Sequence, residues 1–336
     1  MEAVSLGLGA VILLVLLALV FDFMNGFHDA ANSIATVVST GVLRPHHAVA
    51  LAAFFNVVAI FVFQLKVATT VGKGIIDPSI VDPHLIFGAL IGAIAWNVIT
   101  WYYGIPSSSS HALIGGLVGA GIAKGGLDPL LWAGIGKTVI FIVIAPTLGF
   151  ILGGILWVIV SWICHRTTPR KVDRWFRRIQ LASCSLYSLG HGGNDAQKTI
   201  GIIWLLLIAT GYVSQSDAMP PIWVIVLCYL AMGMGTLFGG WRIVKTMGQK
   251  ITKLRPVGGA CAEMSGAFSL FFASSMGVPV STTHTITGAI VGVGAARGAS
   301  KVRWGVTGSI VWAWVLTIPA SATIAAVSWY LGSALF

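Results

Sequence analysis

Long apolar runs recur from one end of the 336-residue chain to the other, and they leave no stretch that could form a separate soluble domain. Residues 10–21, 48–63 and 222–234 are examples. A helix needs about 20 mostly apolar residues to cross a hydrocarbon core ~30 Å thick. Only 9% of the residues are charged, whereas soluble domains contain about 25%. The sequence therefore predicts an all-α integral membrane protein in contact with lipid.

The basic residues indicate the topology. Six of the 20 Lys and Arg residues lie between residues 165 and 178, five between 242 and 255, and three between 297 and 303. Short basic loops are retained in the cytoplasm, which places both termini outside a bacterial cytoplasmic membrane and the central loop inside. Because the charge is concentrated in these loops, beside anionic lipid, nucleic-acid binding is not expected.

With both termini outside, each half must cross the membrane an odd number of times, so the two halves have opposite orientations. The predicted organisation is a first transmembrane repeat at 1–163, a basic cytoplasmic loop at 164–178 and a second, inverted repeat at 179–336. The first basic residue is Arg44, so a cleaved signal peptide with a basic n-region is not expected.

Two pairs of motifs support this duplication. Residues 26–36 read GFHDAANSIAT and residues 192–202 read GGNDAQKTIGI, which aligns Asp29 with Asp195. Residues 105–121 read IPSSSSHALIGGLVGAG and residues 278–294 read VPVSTTHTITGAIVGVG, with seven of 17 positions identical. Chance similarity between glycine-rich segments does not explain two matches in the same order. An inverted repeat is typical of secondary transporters.

The same motifs predict how the repeat folds. The stretches 5–43 and 179–211 would each exceed the bilayer as one straight helix, and each has a polar, glycine-containing centre, so we expect helices that are broken at the Asp motifs. The Pro-hydroxyl segments resemble helix starts and follow the apolar runs 86–103 and 261–276. We expect two re-entrant hairpins whose tips meet at the centre of the protein, since such backbone must be buried or line a wet cavity.

Two hydroxyl-rich tips at helix N-termini predict an anion site. Unpaired N–H groups, the positive end of the helix dipole and Ser or Thr hydroxyls all favour an oxyanion. His111 and His284 are expected to orient the tips through hydrogen bonds. Hydrogen bonding between helices is the alternative role for the hydroxyls. The candidate anion-binding residues are Ser107, Ser108, Ser109, Ser110, Ser281, Thr282 and Thr283, with Lys198 and Thr199 from the second Asp motif.

Ionisable residues at membrane depth are costly and usually functional. Asp29 and Asp195 occur at equivalent positions, and because a carboxylate repels an oxyanion, we expect them to hold a coupling cation, Na⁺ or H⁺. Oxygen ligands from Asn25, Asn32 and Asn194 would complete the cation site. A purely structural ion pair between Asp195 and Lys198 remains the alternative. Asp22 and Glu263 have no counterpart in the other half, and their roles stay open.

With these motifs, the chain resembles the PiT (inorganic phosphate transporter) family over essentially its whole length. The resemblance implies cation-coupled phosphate symport, the inverted-repeat fold with two hairpins, and a homodimer. It carries the family's ion and substrate roles to Asp29, Asn32, Asp195 and the two hydroxyl runs. His28 stands where the family pattern often has Asn, which leaves the choice between Na⁺ and H⁺ open.

Two other functions remain to be compared with phosphate symport. A sulfate or other oxyanion permease could use the same fold, and a passive channel could use paired half-helices, although a channel has no need for buried aspartates. The sequence contains neither the phosphate-binding loop G-x-x-x-x-G-K-[ST] nor a nucleophile elbow. We therefore expect neither ATP hydrolysis nor any other enzyme activity, and no cofactor other than the coupling ion.

Overall fold

A computed structural model describes residues 8–335 of the chain. Its architecture is all-α, as predicted. Twelve α-helices are present in the described part, and they are α1 Leu8–Ser39, α2 Pro45–Val58, α3 Lys66–Gly74, α4 Pro83–Tyr103, α5 Ser109–Gly125, α6 Trp132–Ile163, α7 Pro169–Ala209, α8 Ile222–Phe238, α9 Trp241–Lys245, α10 Pro256–Ser275, α11 Thr282–Ala296 and α12 Trp304–Leu335.

The outer and inner surfaces match a multi-pass membrane protein. Helices α1, α4, α6 and α12 are each long and apolar enough to cross a membrane, and two bent helix pairs bring the possible number of spans to six. Large apolar side chains such as Val143 of α6 and Trp312 of α12 point outwards. Asp, Asn, Ser and Thr side chains are buried instead, which is the arrangement expected when lipid replaces water as the surrounding solvent.

The helices recur in the same order in the two halves, α1 to α6 and α7 to α12. Each half has a bent pair after its first helix: α2 meets α3 at 80°, and α8 meets α9 with its following π-helical turn at 60°. Each half ends on a 32-residue apolar helix with an internal proline, Pro146 in α6 and Pro319 in α12. The duplicated motifs thus lie on duplicated elements.

The breaks are not where the sequence analysis placed them. Helices α1 and α7 run without interruption through both Asp motifs, so the predicted unwinding at these motifs is wrong. The glycines there serve close packing: a Cβ on Gly192 would lie 2.4 Å from the carbonyl oxygen of Asn56, and one on Gly26 would lie 2.1 Å from that of Met232. Residues 169–178 of the predicted basic loop form the first turns of α7.

Helices α1 and α7 cross in opposite directions, as an inverted repeat requires. Thr199, late in α7, donates to Asp22 near the middle of α1 (2.9 Å). Thr40, just after the end of α1, donates to Gln180 near the start of α7 (2.9 Å). Equivalent helices that run antiparallel beside each other place the two Asp motifs next to one another at the centre.

The two predicted hairpins are α4–α5 and α10–α11. Their turns contain Gly104 (φ 65°) and Gly277 (φ 67°), a left-handed conformation that costs glycine little and residues with a Cβ more. These glycines end α4 and follow α10 at equivalent points. The re-entrant helices then pack against the last helix of the opposite half, α5 on α12 and α11 on α6, so each half completes the packing of the other.

This packing between the halves depends on the glycines of the re-entrant helices. A Cβ on Gly292 would lie 2.0 Å from the carbonyl oxygen of Phe150, so Gly292→Ala is expected to force α11 from α6 and destabilise the protein by about 1–3 kcal/mol. The thermal unfolding midpoint of the solubilised protein measures the effect. Gly308→Ala is the matched control, because no heavy atom lies within 4 Å of that position. Equal midpoints for the two variants would contradict the close-packing role.

Candidate functional site

The tips of the two hairpins meet inside the protein. The imidazole rings of His111 and His284 lie edge to face with centroids 4.6 Å apart, and His284 stacks on Trp314 at 3.9 Å. Each histidine is the third residue of its re-entrant helix, within the first turn. The two rings thus join the tips by ring packing, and among the described residues no side-chain hydrogen bond of the kind predicted for them is seen. All hydroxyl residues of both tips are at most 2% exposed, so the site is closed to solvent.

One serine at each tip caps its helix. Ser108 accepts from the backbone N–H of His111, and Ser281 accepts from that of His284, both at 3.1 Å. A cap of this kind satisfies one of the orphan donors at a helix start. The N–H groups of the first two residues of each helix, those at 109–110 and 282–283, keep no acceptor within their helix. Four aligned backbone donors therefore remain available at the centre.

The hydroxyls of α5 reach the Asp motifs of both halves. Ser109 Oγ lies 2.6 Å from Asn25 Oδ1 and 2.7 Å from Asp29 Oδ2. Ser110 accepts from the Lys198 ammonium. Both serines therefore connect the first hairpin tip to the predicted cation and anion residues.

The hydroxyls of α11 make the reciprocal contacts. Thr282 Oγ1 donates to Asp195 Oδ2 (3.0 Å) and also accepts from Asn32, whose amide reaches Thr283 at 2.9 Å. Tyr187 donates to the carbonyl oxygen of Thr282 (2.9 Å) and fixes the backbone of the tip. Each Asp motif thus contacts a hydroxyl of a hairpin tip, Asp29 through Ser109 and Asp195 through Thr282.

Lys198 and Asp195 form a buried ion pair, three residues apart on α7. The ammonium also donates to Ser110 and to the carbonyl oxygen of Val280 (2.7 Å), so all three of its donors are used. His191 lies one turn earlier, with Nε2 3.3 Å from Asp195 Oδ2. The structural ion pair considered as an alternative role for these residues is therefore present, and it lies directly at the hairpin tips.

A cation could lie between the two aspartates. Ligand atoms of Asp29, His191 and Asp195 all lie within 4.8 Å of one another, and all three side chains are buried. His191 is a residue that the sequence analysis missed. The available signal was its spacing, because residues four apart lie on one face of a helix.

Three predicted site residues bond partners other than the hydroxyls of the tips. Thr199 donates to Asp22, away from the tips. Asn194 bonds Ser274 and the backbone around the α10–α11 turn and so holds the second hairpin. Ser107 donates to Thr100 of α4 (2.9 Å).

His28 occupies the position equivalent to Asn194, and both of its ring nitrogens have a polar partner. Its Nδ1 lies 2.6 Å from Asp29 Oδ1, and its Nε2 lies 3.0 Å from Thr100 Oγ1. The imidazole therefore connects the first Asp motif to the first hairpin, and it places a titratable ring directly on a candidate ion-binding carboxylate.

Glu263 belongs to a second polar group, whose contacts the sequence did not reveal. Its carboxylate accepts from Thr36 (2.6 Å), from Gln180 (2.9 Å) and from Ser183. When the motifs are aligned, the equivalent positions in the other half hold Leu90, Ile202, Leu14 and Leu17, which belong to or pack on an apolar core. The side of the site toward the basic loops is therefore polar, and the opposite side is apolar.

Substitutions of Asp195 and Lys198 should have coupled effects on the stability of the protein. Lys198→Met leaves a buried carboxylate without its counter-charge, and we expect a loss of about 3–5 kcal/mol. Adding Asp195→Asn removes that charge and should restore much of the loss, as measured by the unfolding midpoint. Lys171→Met, at an exposed position of α7, is the control and should have little effect. Simple addition of the two single losses in the double variant would show that the residues are not coupled.

Comparison with known proteins identifies the family of this chain. The model of a family described as "Phosphate transporter family" matches residues 25–325. The chain is 61% identical over 317 residues to a "Probable low-affinity inorganic phosphate transporter" of Rhizobium meliloti, covering 94% of this chain and 95% of that protein. It is 46% identical over 327 residues to a protein of the same description from Bacillus subtilis, covering 97% and 98%. A solved structure described as "The sodium-dependent phosphate transporter" superposes with a TM-score of 0.90 at 26% identity, covering 98% of this chain and 100% of that one.

Proposed function

The chain belongs to the phosphate transporter family, and from that premise we propose that it imports inorganic phosphate across the bacterial cytoplasmic membrane by symport with a cation. The observation that carries this proposal is the pair of hairpin tips, whose N-termini and hydroxyls lie against two buried aspartates. Family membership identifies the protein as a transporter rather than an enzyme. The coupling and the residues that perform it are our inference.

Coupling follows from the charges at the centre. Asp29 and Asp195 are buried there with one ammonium, that of Lys198. An incoming phosphate anion would meet a net negative site, and two like charges 4 Å apart repel by about 4 kcal/mol at an effective dielectric constant near 20. A cation bound between Asp29 and Asp195 removes that repulsion. Cation and phosphate therefore each raise the affinity for the other, as linkage requires.

Phosphate would take its hydrogen bonds from the two tips. The four backbone N–H groups at 109–110 and 282–283 and the inward hydroxyls of Ser109, Ser110, Thr282 and Thr283 supply donors. Lys198 has no free donor in the closed site, so it must give up a present contact before it can bind phosphate. Exchange of the Ser110 hydroxyl for a phosphate oxygen would keep its ion pair with Asp195.

Na⁺ and H⁺ each fit a different feature of the site. Na⁺ prefers oxygen ligands, and the structural neighbour at 26% identity is described as sodium-dependent. A proton is favoured by the imidazoles, since His28 lies 2.6 Å from Asp29 and His191 lies 3.3 Å from Asp195, and histidine takes up protons near neutral pH. The experiment below decides between them.

Labelled phosphate uptake into proteoliposomes, with Na⁺ and pH gradients imposed separately, tests the coupling. One gradient should drive uptake against the phosphate gradient, and Asp29→Asn should abolish that accumulation because its carboxylate no longer neutralises the cation. Asp128→Asn, at an exposed carboxylate in the loop after α5, is the control. Uptake that ignores both gradients would support the passive-channel alternative, and equal competition by sulfate would support a general oxyanion permease.

The hydroxyls of the tips should set the phosphate affinity. Ser109→Ala and Thr282→Ala each remove a donor at the centre, and each is expected to raise the KM for phosphate about 10-fold, the equivalent of roughly 1.4 kcal/mol. Ser185→Ala, at a half-buried serine of α7 whose hydroxyl bonds the Leu181 carbonyl of its own helix, should leave the KM unchanged. An unchanged KM in both tip variants would count against phosphate binding between the hairpins.

A further inference from the structure

A cavity of about 730 Å³ opens on the side of the protein that carries the basic segments. It lies where the end of α1, the first turns of α7 and the start of α10 meet. Arginines dominate its walls, and they are Arg170, Arg174, Arg177 and Arg255. We call this feature the basic cavity.

Most of its positive charge is not neutralised by the protein. Asp173 is the only carboxylate among the lining residues, and it pairs with Arg177 (2.9 Å). Within residues 8–335, Arg170, Arg174 and Arg255 have no side-chain hydrogen bond or ion pair. Guanidinium groups bind phosphate oxygens bidentately, so three of the four are free to receive such a group. Exposed arginines often only face water or lipid, but these three converge on one concave surface.

Two helices also begin at this cavity. Pro169 is the first residue of α7 and Pro256 that of α10, and both line the cavity. Neither helix has a side-chain cap at its N-terminus. Uncapped N–H groups and two positive dipole ends therefore add to the charge of the guanidiniums.

A chain of polar side chains connects the basic cavity to the hairpin tips. Thr40 lines the cavity and donates to Gln180, which donates to Glu263. Thr36 donates to the same carboxylate from α1, and it lies one turn beyond Asn32, which contacts both threonines of the second tip. In the other half, the equivalents of these connecting residues are leucines and an isoleucine.

We propose that the basic cavity is a second binding site for a phosphate group, at the cytoplasmic mouth of the transport path. This proposal rests on the proposed function, because inorganic phosphate that leaves the tips would be its first occupant. The phosphate headgroup of an anionic lipid has the same chemistry and could occupy the cavity instead. Since the arginines are exposed to solvent, binding should weaken as salt is added.

Equilibrium binding of labelled inorganic phosphate to the full-length protein in phosphatidylcholine nanodiscs tests the proposal. The wild type should bind two phosphates per chain, and Arg170→Ala with Arg174→Ala should bind one. Lys171→Ala with Arg178→Ala removes the same charge from exposed positions of α7 that do not line the cavity, and it should still bind two. Ser109→Ala with Thr282→Ala should lose the other phosphate, so a failure of the central site is distinguished from a failure of the basic cavity.

A second arm replaces part of the phosphatidylcholine with phosphatidylglycerol. If the headgroup occupies the cavity, one phosphate is displaced from the wild type, and retention of phosphatidylglycerol, measured by native mass spectrometry, falls in the Arg170/Arg174 variant but not in its charge-matched control. Either result, phosphate or headgroup bound through these arginines, supports the site. Phosphate stoichiometry and lipid retention that are the same in both double variants would overturn it.

Discussion

The whole centre of the structure depends on keeping buried charge satisfied without water. Asp29, Asp195 and Lys198 lie where lipid or protein surrounds them on every side, and an unpaired charge there would cost several kcal/mol. The hairpin tips exist at this depth because they supply what those groups need. Ser109 donates to Asp29, Thr282 donates to Asp195, and the ammonium of Lys198 binds the first tip through Ser110 and the second through the carbonyl of Val280. The same contacts therefore hold the centre of the fold together, and under the proposed function the binding of cation and phosphate would replace some of them.

Sequence reasoning predicted the elements and their relation better than the partners of individual residues. Apolar length, the Pro-hydroxyl segments and the paired motifs predicted the all-α fold and the two hairpins, because these follow from local rules and from duplication. It was wrong about unwinding at the Asp motifs, because a glycine permits either a break or a close approach, and only the neighbouring helix decides which. Met232 and Asn56 approach the glycines of these motifs, so the helices stay intact. The contacts of Asn194 and Thr199 likewise depend on side chains that are distant in sequence.

The two halves link an Asp motif to a hairpin through different side chains. His28 reaches Thr100 of the first hairpin, and the equivalent Asn194 reaches Ser274 of the second. Each thereby ties an Asp motif to the hairpin of its own half. Only the histidine also contacts the aspartate next to it in sequence, whereas in the second half the imidazole beside Asp195 comes from His191, one turn away on α7. The two links occupy equivalent positions in the repeat, but the one through His28 has a titratable side chain and the one through Asn194 does not.

The asymmetry continues away from the centre and makes the two exits physically different. On the side of the basic cavity, Glu263 and Gln180 hold α1, α7 and α10 together through hydrogen bonds, and water that enters when this side opens can replace those bonds at small net cost. On the opposite side, Leu14, Leu90 and Ile202 belong to an apolar core, and separating them would expose apolar surface at about 25 cal/mol per Å². Separating the helices on the polar side therefore costs little free energy, whereas on the apolar side the cost must be met by another interaction. Under the proposed symport, the binding of cation and phosphate at the tips would supply the free energy that shifts the balance between the two sides.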